Sequence, residues 1–198
     1  MIIFMCKAYQ HTIVITNRSL VQGDYLTQIR KVCRLHPYAL ILREKDLEPW
    51  AYETLAGQVM QICEEYGVIC FLHFHAEIAE KLGCRNIHIS IPFLNSLTLD
   101  EKKHLRSSFD RISVSCHQKE EAELAVKCGA TQIVLGTIFE TACKPGRIGS
   151  GTDFVRSVCR NCQVPVYAIG GINLERVKLV MEAGAAGGCM MSAFMELP

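Results

Sequence analysis

The side chains best suited to chemistry stand at the ends of short apolar runs. Four such runs end in cationic, acidic or imidazole groups, which are Arg43-Glu44-Lys45, His73, His88 and Ser115-Cys116-His117. Arginine and lysine can bind an anion, and glutamate or histidine can act as a general base. The same residues also fit an exposed charged turn and histidines that only pack or hydrogen-bond, so the pattern alone leaves both interpretations open.

Three later apolar runs end instead in small or polar residues, and they are Ile133–Thr137, Val164–Gly171 and Gly188–Ala193. Gly170 and Gly171 have no side chains to obstruct a ligand, so backbone amides can reach an anion there. After the first of these runs, the polar loop from Thr137 to Gly151 carries Lys144 and can close over a ligand. This order of strands and small-residue loops predicts a phosphate site.

The sequence shows no pattern of metal ligands. Cys159-Arg160-Asn161-Cys162 is a single cysteine pair without a second pair at zinc-finger spacing, which favours packing. Magnesium prefers carboxylate oxygens, but His73-Phe74 and Ser90-Ile91-Pro92-Phe93 follow the third and fourth apolar runs. We therefore expect no bound metal and no cofactor.

These residues need a scaffold that brings the ends of many strands together. Apolar runs predict eight strands, over Thr12–Thr16, Tyr38–Leu42, Val68–Leu72, Asn86–Ile89, Arg111–Val114, Ile133–Leu135, Val166–Ile169 and Gly188–Met191. Helices are predicted between them, over Tyr25–Leu35, Glu48–Tyr66, Ala76–Leu82, a segment beginning at Thr98, Gln118–Cys128, Asp153–Val158 and Leu174–Ala183. The alternation predicts an α/β fold, a closed (βα)8 TIM barrel with its ligand at the carboxyl ends of the strands.

The length fits one barrel domain over residues 1–198, because 198 residues with 49% hydrophobic content can bury one core. Only five residues follow Ala193, so we expect the eighth helix to be absent or rudimentary. A homodimer or the segment Met1–Tyr9 is predicted to cover the resulting gap.

Charge and cysteine content restrict the partners and the compartment. The 21 Lys and Arg residues balance 20 Asp and Glu residues, which argues against nucleic acid or an anionic membrane and favours a small molecule. The apolar opening Met1–Cys6 is too short for a signal peptide, so a cytoplasmic location is expected. The 11 cysteines are irregularly spaced, which indicates buried thiols in a reducing compartment.

Five motifs together resemble the thiamine phosphate synthase and TenI family. They are Arg43-Glu44-Lys45, Ser115-Cys116-His117, the segment from Gly136 to Lys144, Ala168-Ile169-Gly170-Gly171-Ile172 and Met191-Ser192-Ala193. The family fold is a (βα)8 barrel. The synthase joins a hydroxymethylpyrimidine pyrophosphate to a thiazole phosphate with magnesium, and TenI isomerises a carboxylated thiazole phosphate to its aromatic tautomer without a metal.

The resemblance implies roles for individual residues. Arg43, Lys45 and Lys144 are similar to contacts with the pyrimidine pyrophosphate, and Ser115 matches a serine near that group. Thr141 and the position of Cys143 resemble contacts with the thiazole. The thiazole phosphate would be held by the backbone of Gly170, Gly171, Met191 and Ser192.

This sequence departs from the family patterns at positions that would carry out the reactions. The synthase has a magnesium carboxylate at each of the positions of Phe74 and Phe93 and a glutamine at Ile41, which makes synthase activity unexpected. The segment Phe139–Lys144 is closer to TenI, but TenI's catalytic histidine is Thr137 here, at the edge of the substrate site. Another group must then carry the proton, and we rank His88, His73 and Glu44 in that order.

Three functional hypotheses follow. The first is a TenI-like thiazole tautomerase, and the second is a thiamine phosphate synthase in which substrate phosphates hold magnesium. The third is a non-catalytic or regulatory barrel that only binds the phosphate ligand.

Overall fold

Eight parallel strands form a closed barrel in the computed structural model, which describes residues 8–141, 146 and 148–198. The strands are β1 (Thr12–Ile15), β2 (Ala39–Leu42), β3 (Ile69–His73), β4 (Asn86–Ser90), β5 (Arg111–Cys116), β6 (Gln132–Gly136), β7 (Val166–Ile169) and β8 (Gly187–Met190). Each strand pairs with the next along the chain, and β8 pairs with β1 to close the circle. The predicted barrel is confirmed.

Helices follow the strands and cover the outside of the barrel. Within the described residues they are α1 (Tyr25–Cys33), α2 (Pro49–Glu65), α3 (Ala76–Lys81), α4 (Ile91–Ser96), α5 (Leu99–Ser108), α6 (Lys119–Lys127), α7 (Gly151–Cys159), α8 (Leu174–Glu182) and α9 (Ser192–Met195). A 3-10 turn, Arg18–Leu20, also follows β1. None of the described helices is long and apolar enough to cross a membrane.

Strand alternation divides the buried residues into two cores. A small cluster that includes Ile13, Ile41 and Phe71 fills the barrel interior. A larger cluster lies between the strands and the helices, and Cys33 and Cys63 belong to it. Since successive side chains of a strand point to opposite faces, the same alternation determines which residues face the ligand end of the interior.

Helix α4 was not expected from the apolar pattern. Ser90 ends β4 and caps the helix, since its hydroxyl accepts a hydrogen bond from Phe93 N at 3.4 Å. Pro92 lies in the first turn, where a missing N–H costs nothing. The helix matters for the site because it places Phe93 above the carboxyl end of β4.

The last helix is rudimentary, as predicted. Helix α9 spans Ser192–Met195, and Gln28 Nε2 of α1 donates to Phe194 O at 2.7 Å and to Leu197 O at 3.2 Å. The ring of Tyr9 lies 5.5 Å from the ring of Phe194. Residues 1–7 lie outside the described residues, so the full N-terminal cover and the homodimer stay predictions.

Candidate active site

The turn at Gly170 and Gly171 after β7 is held on one side by hydrogen bonds that its carbonyl groups accept from the segment after β6. Ile138 N donates to Ile169 O at 2.9 Å, and Phe139 N donates to Gly170 O at 3.0 Å. Because the C=O and N–H of a trans peptide point in opposite directions, the amides of Gly170 and Gly171 point away from this contact. They face the side on which β8 pairs with β7. The predicted phosphate turn therefore directs its amides towards the end of β8.

Glycine is required at both positions of this turn. Gly170 has a φ of 101° and Gly171 a φ of 62°, a region that glycine adopts without strain. A Cβ at Gly170 would lie 2.4 Å from Thr137 Cγ2, and one at Gly171 would lie 2.4 Å from Glu140 O. Thr137 is buried and forms the wall behind the turn.

The end of β8 completes this part of the site. Met191 is half-buried and Ser192 is exposed, and they connect β8 to α9. Since Ile169 pairs with Cys189, the ends of β7 and β8 lie side by side. The structure thus brings together Gly170, Gly171, Met191 and Ser192, which we call the phosphate cradle after the ligand predicted for them.

The long loop after β6 returns to the point where it leaves. Ser150 N donates to Thr137 O at 3.0 Å, and Gly151 N donates to Ile138 O at 2.9 Å. Of the predicted ligand residues in this loop, Thr141 is half-buried, whereas Cys143 and Lys144 lie outside the described residues.

His88 lies within β4 and points into the barrel interior. Its Nδ1 is 2.8 Å from Ser113 Oγ and its Nε2 is 2.8 Å from Ser115 Oγ. Gln132 Nε2 donates to Ser113 Oγ at 3.0 Å. Both ring nitrogens of this buried histidine are therefore engaged, and Ser115 serves as one of its partners.

His73 ends β3 beside His88, and their ring centroids are 5.8 Å apart. Burial is the main cause that lowers the pKa of each imidazole to about 3, and the positive charges of Arg43 and Lys45 contribute to the same shift. Both rings are neutral at pH 7. A general base works best with a pKa near the working pH, so neither histidine is well tuned to accept a proton.

In the turn Arg43-Glu44-Lys45 after β2, the middle side chain has different surroundings from the other two. Glu44 is buried, and its carboxylate accepts from Thr16 Oγ1 at 2.6 Å, Tyr25 Oη at 3.0 Å and Arg18 N at 3.0 Å. These contacts give Glu44 a structural role beneath the mouth of the barrel. Arg43 and Lys45 lie close enough to lower the pKa of His73, and their role as ligands of an anion stays a prediction.

His117 is not among the three ranked proton carriers, but a hydrogen bond to the backbone of a neighbouring strand fixes the orientation of its ring. It follows β5, and its Nδ1 donates to the carbonyl of Gly136, the last residue of β6. Cys116 before it is buried, and burial raises the pKa of that thiol to about 12. The two side chains point in different directions, as strand alternation predicts.

Comparison with known proteins places this geometry in a family. A family model described as thiamine monophosphate synthase matches residues 12–194. The chain belongs to this family. It is 31% identical over 158 residues to the thiamine-phosphate synthase of Coprothermobacter proteolyticus, covering 80% of this chain and 74% of that protein.

One further relative and one solved structure are also similar to this chain. The thiamine-phosphate synthase of Syntrophomonas wolfei is 29% identical over 184 residues, covering 92% of this chain and 87% of that protein. The solved structure of thiamine phosphate pyrophosphorylase from Pyrococcus furiosus has a TM-score of 0.81 at 23% identity, covering 97% of this chain and 90% of the other. That similarity shows the shared fold. The relatives from Coprothermobacter and Syntrophomonas both carry the name of the synthase and not of TenI.

A synthase of this family that needs magnesium must hold the ion with oxygen ligands. The side chains at the two expected ligand positions of this chain do not fit a magnesium ion. Phe74 and Phe93 occupy the two expected carboxylate positions, and their ring centroids are 4.7 Å apart. Within the described residues, no group of three or more His, Cys, Asp or Glu side chains could hold a metal. An aromatic pair has no ligand oxygen to offer Mg²⁺.

The backbone at Phe74 is unusual for its residue type. Its φ is 71°, a region that bulky side chains rarely adopt and that aspartate and asparagine adopt more readily. Its ring is 46% exposed at the carboxyl end of β3. A large apolar ring therefore stands on a backbone conformation that suits a small polar residue better.

Proposed function

We propose that this protein binds a thiazole phosphate in the phosphate cradle and isomerises its ring by metal-independent proton transfer, as TenI does. The observation that carries the proposal is the contact between Phe74 and Phe93, because it replaces both magnesium carboxylates expected of a synthase. Tautomerisation moves a proton between two atoms of one ligand and needs no metal to neutralise a departing pyrophosphate.

The cradle supplies the binding half of this function. Amides of Gly170 and Gly171 face the end of β8, where Ser192 adds a hydroxyl next to the same space. Backbone amides at such a turn, with the start of a short helix after the eighth strand, are the usual phosphate site of this barrel. The phosphate would hold the ring in place while a proton is removed and returned.

The isomerase is tested by mixing the protein with the carboxylated thiazole phosphate and following its conversion to the aromatic tautomer by absorbance or NMR. We expect faster conversion that is unchanged by EDTA. Tight binding without acceleration would instead support the third hypothesis, a barrel that binds the ligand without catalysis.

Thiamine phosphate synthase is the second candidate, favoured by the names of the relatives from Coprothermobacter and Syntrophomonas. It would require substrate phosphates to hold magnesium with few protein ligands. Incubation with both synthase substrates and magnesium tests it, and thiamine phosphate formation would show that our interpretation of Phe74 and Phe93 is mistaken.

A further inference from the structure

We infer that His117 is the proton carrier of this site, an inference that rests on the proposed isomerase function. Three features of the described residues support it: which atom of the ring is held, where the ring lies relative to the phosphate cradle, and how the other histidines are engaged.

The hydrogen bond to Gly136 fixes the tautomer of His117. A carbonyl oxygen can only accept, so Nδ1 carries the proton and donates it, and the lone pair of the neutral ring lies on Nε2. Within the described residues no hydrogen-bond partner of Nε2 is present, and the side chain is exposed. The ring therefore combines a fixed orientation with a nitrogen available to a ligand.

His117 and the cradle lie on either side of the end of β6, which pairs with β5 on one side and with β7 on the other. Its partner Gly136 precedes Thr137, and Thr137 is the wall against which Gly170 packs. Ser113 and Ser115 of the same strand point into the barrel interior at His88, so residue 117 continues on that inward side. A ligand with its phosphate on Gly170 would have its ring near this edge of the mouth.

The two other histidines that were ranked as proton carriers are less suited to the task. Both nitrogens of His88 are held by serine hydroxyls, and burial keeps the pKa of His73 low at about 3. In the step we propose, Nε2 of His117 takes a proton from the thiazole ring system, and the imidazolium keeps its bond to Gly136. The same proton then returns to a different atom of the ligand, so the histidine ends neutral and no oxidant or reductant is needed.

The test compares His117→Gln and His117→Ala with a matched control, His11→Gln. His11 Nδ1 lies 3.3 Å from the carbonyl of Ala186, a similar contact at the opposite end of the barrel. We expect His117→Gln to lower kcat by about 100-fold or more, the usual contribution of a general base, with thiazole phosphate affinity nearly unchanged. His11→Gln should keep the wild-type kcat.

Added imidazole separates a chemical role from a structural one. We expect imidazole to restore part of the kcat of His117→Ala, and to leave the wild type unaffected. An active wild type with an unimpaired His117→Gln variant, or a loss that imidazole does not restore, would overturn the role of His117 alone. A wild type that binds thiazole phosphate but neither isomerises it nor exchanges its proton with deuterated water would overturn the proposed function, and this inference with it.

Discussion

Thr16 Oγ1 donates a 2.6 Å hydrogen bond to Glu44 and accepts one from Arg43 N at 2.9 Å. One hydroxyl thus joins the residue after β1 to the turn after β2, through the carboxylate of Glu44 and the backbone amide of Arg43. Because a buried carboxylate with several donors cannot be removed without leaving them unpaired, this contact makes Glu44 important for stability rather than for proton transfer.

Glu44→Ala is expected to lower the free energy of unfolding by about 3 kcal/mol, since Thr16, Tyr25 and the Arg18 amide all lose their acceptor. Urea unfolding measures this. Glu123→Ala is the control, because its carboxylate is half-exposed and 3.9 Å from Lys119, and it should change stability by less than about 0.5 kcal/mol. Equal losses in the two variants would contradict the structural role of Glu44.

Gly170→Ala should abolish thiazole phosphate binding and destabilise the fold. Gly23→Ala is a close control, because Gly23 has a φ of 100° against 101° at Gly170 but no atom within 4 Å of its added Cβ. The two variants share the backbone strain, and only Gly170→Ala adds the clash with Thr137. We expect calorimetric binding to be lost in the first and kept in the second, and a further loss of about 1 to 3 kcal/mol at Gly170.

The double variant Phe74→Asp, Phe93→Asp should gain affinity for Mg²⁺. The two side chains are close enough for their rings to contact, and the φ of 71° at residue 74 suits aspartate. Mn²⁺ binding followed by electron paramagnetic resonance measures the gain, with the exposed pair Leu99→Asp, Leu179→Asp as the control. A double variant that binds no more ion than this control would show that the backbone here no longer suits a metal.

His88 should make the protein less stable in acid. The unfolded chain takes up a proton on this histidine near pH 6.5, but the folded pKa is lowered to about 3 by burial. Between these pH values only the unfolded state is protonated at this histidine. The free energy of unfolding therefore decreases as the pH is lowered, by about 2 kcal/mol from pH 7 to pH 5. In His88→Gln the difference in unfolding free energy between pH 7 and pH 5 should shrink by that amount. An undiminished difference would mean that His88 does not titrate in this way.

The barrel could be predicted because its strands are bounded by local signals. Val166–Ile169 was predicted with its observed limits, since Pro165 and Gly170 interrupt the apolar run on either side. Helix α4 could not be predicted, because Ile91 and Phe93 extend the apolar pattern of β4 and only the Ser90 cap marks the change.

The glycine turn after β7 was predictable for a similar reason, since Gly170 and Gly171 are recognisable from their own residue type, and the phosphate they are expected to bind stays a prediction. The roles of Glu44 and His117 were not, because their partners come from distant segments. Glu44 is defined by Thr16 and Tyr25, and His117 by the carbonyl of Gly136. No local pattern records such contacts.

The paired hydrogen bonds from Ser150 to Thr137 and from Gly151 to Ile138 close the long loop at its base. The predicted ligand residues Thr141, Cys143 and Lys144 lie between these anchors in the sequence, so the strands are joined independently of them. For a loop whose ends are already joined, doubling its length costs only about 0.6 kcal/mol. We therefore expect the barrel to tolerate loops of other lengths and sequences grafted onto this base, and such grafts would alter the predicted ligand contacts separately from the proposed phosphate cradle.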